Sequence, residues 1–174
     1  MTATRYQVPE KLPRNWGDLK ESRHGIMLHY DASGSDDGAV EWLLFDRRCK
    51  VSYNWLILDD GTVRDICPPD KRAWHAGVCR PSDPSLTYVD ANSAFYGIAV
   101  AAKPGDVATP KQFNAVVSLV YALVLRHTWK KELWRIVSHR TEAWPRGRKD
   151  DPDGKSGVVL SVDAVRTAIS RMHP

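Results

Sequence analysis

Two short apolar runs, Gly25-Ile-Met-Leu-His29 and Trp134-Arg-Ile-Val-Ser138, each lead straight into a histidine, His29 and His139. Runs of this length and composition read as buried strands, and a continuous apolar strand needs cover on both faces. Between them the chain alternates further strand and helix patterns. Ala32 to Gly38 reads as a loop and Ala39 to Phe45 as a short helix. Tyr53 to Leu58, Asp59-Asp-Gly61 and Thr62 to Ile66 read as a hairpin with an acidic-glycine turn. Pro68 to Asp90 is rich in Pro, Asp and Ser and reads mostly as loop, and Tyr96 to Ala102 as another buried strand. Thr109-Pro110 is a helix start, threonine as cap and proline in the first turn. Phe113, Val116, Val117, Val120 and Val124 then recur at helical spacing, which predicts a helix to about Lys130. Arg140 to Gly157 reads as a long polar loop. Ser161 caps a last helix with Val162, Val165, Ile169 and Met172 on one face. Interleaved strands and helices with one hairpin predict an α/β fold: a single domain over residues 1–174, with a mixed central β-sheet flanked by helices. Residues 1–20 are expected to be a lead-in arm, with Trp16 as its anchor.

Composition narrows the function classes. With 174 residues, 43% of them hydrophobic, and seven tryptophans, the chain can bury a proper core. The formal charge of +4 suits a polyanionic partner. The sequence lacks basic–aromatic interleaving and zinc-finger spacing, so no nucleic acid is expected. The apolar stretch from Val116 to Leu125 is too short to span a bilayer, so no membrane insertion is expected. No signal-peptide pattern opens the chain, which predicts synthesis in the cytoplasm. The three cysteines, Cys49, Cys67 and Cys79, form no C-x-x-C pair and read as free thiols. A cysteine hydrolase using Cys67 or Cys79 stays open at this level. No association helix is evident, and a monomer is expected.

Strand ends in α/β sheets are where loops converge into sites. His29 and His139 at equivalent strand ends therefore suggest a shared role, and imidazole suits zinc. A catalytic zinc takes three protein ligands and leaves a fourth position for water. The loop after His139 offers Glu142, Asp150, Asp151 and Asp153 as a third ligand, and spacing does not choose among them. His24, five residues before His29, faces the opposite side of a regular strand and is left out. His127, near the end of the long helix, suits the helix dipole as a cation; neither it nor the terminal His173 is assigned a role.

Six motifs occur in order: Leu28-His29-Tyr30-Asp-Ala-Ser33, Val51-Ser-Tyr53-Asn-Trp-Leu-Ile57, Asp60-Gly-Thr-Val63, Ala73-Trp-His75-Ala-Gly77, Asn92…Tyr96-Gly-Ile98 and His139…Arg148-Lys149-Asp150-Asp151-Pro152. Together they resemble the type 2 N-acetylmuramoyl-L-alanine amidases, the family of zinc phage lysozymes and peptidoglycan-recognition proteins. The resemblance covers about Gly25 to Pro152. It implies one zinc held by His29, His139 and Asp151, and hydrolysis of the muramoyl–alanine amide of peptidoglycan. It places Tyr53 and Lys149 in catalysis and His75 on the substrate cleft. Apart from the resemblance, Trp74 and Trp144 read either as platforms that stack on sugar or as cover for the core. One motif departs from the pattern: the family's G-I-E glutamate is replaced by Ala99. Glu142 and Asp150 are the nearest substitutes in sequence. The biological expectation is a phage or prophage endolysin that reaches the wall after holin-type release; a non-catalytic recognition module of the same fold is the alternative.

Overall fold

The computed structural model describes residues 15–154 and 157–172. Its centre is a five-stranded sheet built from β2 (Gly25–Tyr30), β3 (Trp55–Ile57), β4 (Val63–Asp65), β6 (Phe95–Val100) and β7 (Ile136–Ser138), in the order β4-β3-β6-β2-β7. β3, β6, β2 and β7 run parallel, and β4 pairs antiparallel with β3 to close one edge. The mixed sheet flanked by helices is the architecture the strand and helix patterns predict.

Alternation along the two central strands sorts their side chains into two layers. Ile26 and Leu28 of β2, with Ile98 and Val100 of β6, pack on one face against α3 (Pro110–Arg126) and α5 (Val162–Arg171). α3 contributes Val116, Val120 and Val124, and α5 contributes Val165 and Ile169. Each such side chain, fully buried, is worth about 1.5–3 kcal/mol. On the other face Leu56, Ala99 and Ala101 meet α1 (Asp36–Leu44) through Ala39, Leu43 and Leu44. His29 lies in register with Ala99, so it points to the α1 face, away from the two long helices.

Helix starts follow local chemistry. Thr109 and Gln112 form a full capping box at α3, and the Gln112 amide also donates to Ala101 O at 2.9 Å, tying the helix end to the sheet. Ser161 caps α5 by accepting from the Ala164 N–H. α1 starts three residues before the expected Ala39, because the Ser35 hydroxyl accepts from the Gly38 N–H and organises the first turn. α3 stops four residues short of Lys130, where His127 caps the helix and Thr128 turns left-handed at φ 61°. The hairpin forms as expected, with Gly61 at φ 84° in its turn.

Other departures concern the stretches read as arm or loop. Residues 1–14 of the expected arm, and His173, lie outside the described residues. Trp16–Asp18 is a strand, β1, paired antiparallel with β5 (Lys71–Ala73) inside the expected loop, and Trp16 is half-buried there. α2 (Ala91–Ala94) precedes β6. The polar stretch after β7 begins with a one-turn helix, α4 (His139–Glu142), and includes the short antiparallel pair β8 (Asp153–Gly154) and β9 (Gly157–Val158). Among the described residues no helix is long and apolar enough to cross a membrane.

Candidate metal centre and active-site cleft

His29 sits near the carboxyl end of β2, and His139 opens α4 directly after the neighbouring parallel strand β7. Asp151 arrives from the loop that follows. Its backbone oxygen accepts from the Arg140 N–H at 2.8 Å, and Arg140 also pairs with Asp153, so the loop is pinned to α4. The three side chains meet in a buried cluster in which one ligand atom from each lies within 4.8 Å of the others. Asp151 Oδ2 is 2.9 Å from His29 Nδ1 and 3.1 Å from His139 Nδ1.

Burial alone pushes the Asp151 carboxyl up, but the hydrogen bonds to His139 and His29 outweigh it and hold the group well below the ordinary range. Burial pushes His29 down to about 4, so its imidazole is neutral near pH 7. A buried carboxylate facing two imidazole nitrogens needs a cation or a shared proton between them. Two imidazoles and one carboxylate match the ligand chemistry of a catalytic zinc with one open position. The residues present fit that group.

Two of the three side chains, His139 and Asp151, line a cleft of about 320 Å³ together with Tyr53, His75, Lys149, Asp150 and Trp42, while His29 is buried beside them. Tyr53 is buried with its ring 5.2 Å from that of His29. Burial, and then the Asp151 charge, push its phenol far up, so it keeps its proton and can only donate or accept a hydrogen bond. Lys149 is exposed and lines this cleft and both adjoining depressions. Trp74 lines the adjoining one, half-buried under the Arg72 guanidinium at 4.1 Å. His75 is part of the cleft wall, but both of its ring nitrogens face protein: Nδ1 lies 3.0 Å from His29 Nε2 and Nε2 lies 3.2 Å from Phe95 O.

The four acidic candidates after His139 separate cleanly. Glu142 is fully buried, where it accepts from the Ser82 hydroxyl and from the Tyr88 hydroxyl at 2.8 Å, and it is not among the cleft residues. Asp153 holds Arg140, and Asp150 lines the cleft. Ala99 is buried beside Tyr53 and Leu56, so the position brings no carboxylate to the site. His24 stays with Ser22 and Glu21. His127 bonds to the Tyr96 hydroxyl at 3.0 Å and stacks on Trp129, and burial pushes it down, so the expected helix-end cation is not what the structure favours. A cysteine hydrolase is not favoured, since neither Cys67 nor Cys79 lines the cleft and burial pushes both thiols up.

Fold and cleft together define the class: an α/β enzyme domain with a buried His-His-Asp set at the carboxyl ends of parallel strands. A family model for N-acetylmuramoyl-L-alanine amidase matches residues 20–154, and the chain belongs to that family of enzymes. Among solved structures it is similar to a selenomethionyl derivative of AmpD, at 22% identity and a TM-score of 0.71, covering 97% of this chain and 96% of that one. It is also similar to the endolysin amidase LysCS from Clostridium intestinale URNW, at 15% identity and a TM-score of 0.63, covering 95% and 92%. A third likeness is to the amidase AmiD from E. coli in complex with anhydro-N-acetylmuramic acid-L-Ala-D-gamma-Glu-L-Lys, at 21% identity and a TM-score of 0.62, covering 86% of this chain and 56% of that one. At these identities the likeness speaks for the fold. No curated protein matches the chain significantly.

Proposed function

We propose that the chain hydrolyses the N-acetylmuramoyl–L-alanine amide of peptidoglycan with one zinc held by His29, His139 and Asp151. The observation that carries this reading is the convergence of His29 Nδ1 and His139 Nδ1 on Asp151 Oδ2, with His139 and Asp151 lining an open cleft. Zinc bound there supplies a water of lowered pKa and polarises the scissile carbonyl. The chain's own residues do the rest. Lys149, on the cleft wall two residues from a ligand, places a positive charge where the tetrahedral oxyanion develops. Tyr53, kept protonated by burial, donates a hydrogen bond to the same oxygen or passes a proton to the leaving amine. Trp74 offers an aromatic face along the adjoining wall.

The complete donor set supports hydrolysis over recognition without cutting, and the comparisons give the recognition module no support. The alanine at position 99, together with the likeness to an endolysin amidase, supports a phage or prophage setting, with intact wall as substrate. The test is paired: zinc per chain by elemental analysis, and release of new alanine amino termini from purified peptidoglycan, with and without chelator. One zinc and chelator-sensitive release are expected. A chain that binds no zinc, or cuts equally well in chelator, overturns the reading. Faster release from soluble muropeptides than from sacculi would replace wall lysis by fragment turnover.

A further inference from the structure

The Ala73-Trp-His75-Ala-Gly77 segment backs both histidine ligands at once. His75 presents its ring to His29, and the next residue presents its backbone oxygen to His139, whose Nε2 lies 2.9 Å from Ala76 O. The segment is itself fixed, because the Asn92 side-chain oxygen accepts from the N–H groups of both His75 and Ala76, at 2.9 and 2.8 Å.

Hydrogen-bond polarity runs one way through this arrangement. Phe95 O can only accept, so His75 Nε2 must carry its proton. The same carbonyl accepts from Arg23 Nη1 at 2.7 Å, and Arg23 grips Ser93 O at 2.8 Å and Lys71 O at 2.6 Å as well, so the acceptor cannot drift. With Nδ1 bare, His75 accepts from His29 Nε2–H, so the nitrogen of His29 whose lone pair a bound zinc would take, in place of its hydrogen bond to Asp151, is Nδ1. Ala76 O imposes the same tautomer on His139. The ring of His75 fits across β6 only because residue 97 is glycine: a Cβ there would lie 2.7 Å from His75 Cγ.

We propose that His75 is a positioning residue, locked by the Phe95 carbonyl and Arg23, that fixes the metal-binding tautomer and ring orientation of His29. The inference rests on the zinc reading above. Outer partners of this kind typically govern metal affinity by about 10- to 100-fold.

The test compares zinc affinity, by competition with a chromogenic chelator, in the wild type, His75→Phe and His75→Gln. Phenylalanine keeps the bulk and loses the acceptor. Glutamine can accept from His29 and donate to Phe95 O. The expected result is affinity weakened about 10- to 100-fold in His75→Phe and largely restored in His75→Gln. A folded His75→Phe chain with wild-type affinity, or a glutamine variant no better than phenylalanine, overturns the proposal. If the phenylalanine variant does not fold, ring-nitrogen NMR of the zinc-loaded wild type decides: His29 and His75 should both carry the proton on Nε2, and a proton on His75 Nδ1 overturns the assignment. A wild type that binds no zinc while His75 still carries its proton on Nε2 would sink the zinc reading and leave the His75–Phe95 hydrogen bond standing.

Discussion

Of the four candidate carboxylates after His139, Asp151 is the one that meets both His29 and His139. Sequence spacing left Glu142, Asp150, Asp151 and Asp153 equivalent, because the path of a polar loop is not encoded by periodicity. The structure sorts them by partner: Glu142 to Ser82 and Tyr88, Asp153 to Arg140, Asp151 to the two imidazoles. His29 and His139 were legible as strand-end histidines, whereas the hydrogen bonding of His75 was not, since its acceptor Phe95 O is brought to it only by the sheet. His29→Ala or Asp151→Ala is expected to remove zinc and activity together, read by elemental analysis beside the peptidoglycan assay. Lys149→Ala should keep zinc and lower turnover by roughly 100- to 1,000-fold, the cost of removing one oxyanion-stabilising group. Near wild-type turnover in that variant would remove Lys149 from the mechanism. The buried histidines also set an acid limit. His29 falls from an ordinary 6.5 to about 4 on folding, and His75 shifts the same way, burial being the main cause in both. Between those values the unfolded chain binds the protons that the native chain refuses, so stability drops as pH falls from 6.5 toward 4. Urea midpoints of the metal-free protein should therefore be lower at pH 5 than at pH 7; equal midpoints would mean that these rings are not neutral when folded.

At the scale of elements, legibility followed how local the cause is. α3 was readable at its start because Thr109, Pro110 and Gln112 are adjacent in sequence, and the β3–β4 hairpin because Gly61 marks its turn. The β1–β5 pair was not, since Trp16–Asp18 and Lys71–Ala73 are far apart and neither shows apolar alternation. Thr109→Ala is expected to cost about 1 kcal/mol of stability, from the lost cap. Gly97→Ala tests how β6 accommodates the ring laid across it. The added methyl must push His75 or the strand aside, at about 1–3 kcal/mol. Thermal unfolding of the two variants, with zinc titrations, should separate them: the cap variant binds zinc normally, and the Gly97 variant does not.

For the molecule as a whole, the parallel order of β3, β6, β2 and β7 puts the carboxyl ends of four strands on one edge, and the cleft opens there. The interleaved patterns foretold that layout. They did not foretell that one face would be given to α3 and α5 for packing while the other carries His29 beside α1. The three thiols have a consequence for the chain's surroundings. Cys49, Cys67 and Cys79 are all free, and each points its sulfur at a backbone oxygen, that of Val51, Pro68 and Ala76 respectively. Nothing in the fold is stapled by oxidation, and nothing is undone by reduction. Melting curves in reducing and in oxidising buffer should coincide; a large separation would point to oxidation at Cys79, the half-buried one of the three. A fold held together without a disulfide is expected to keep its stability when the redox environment changes.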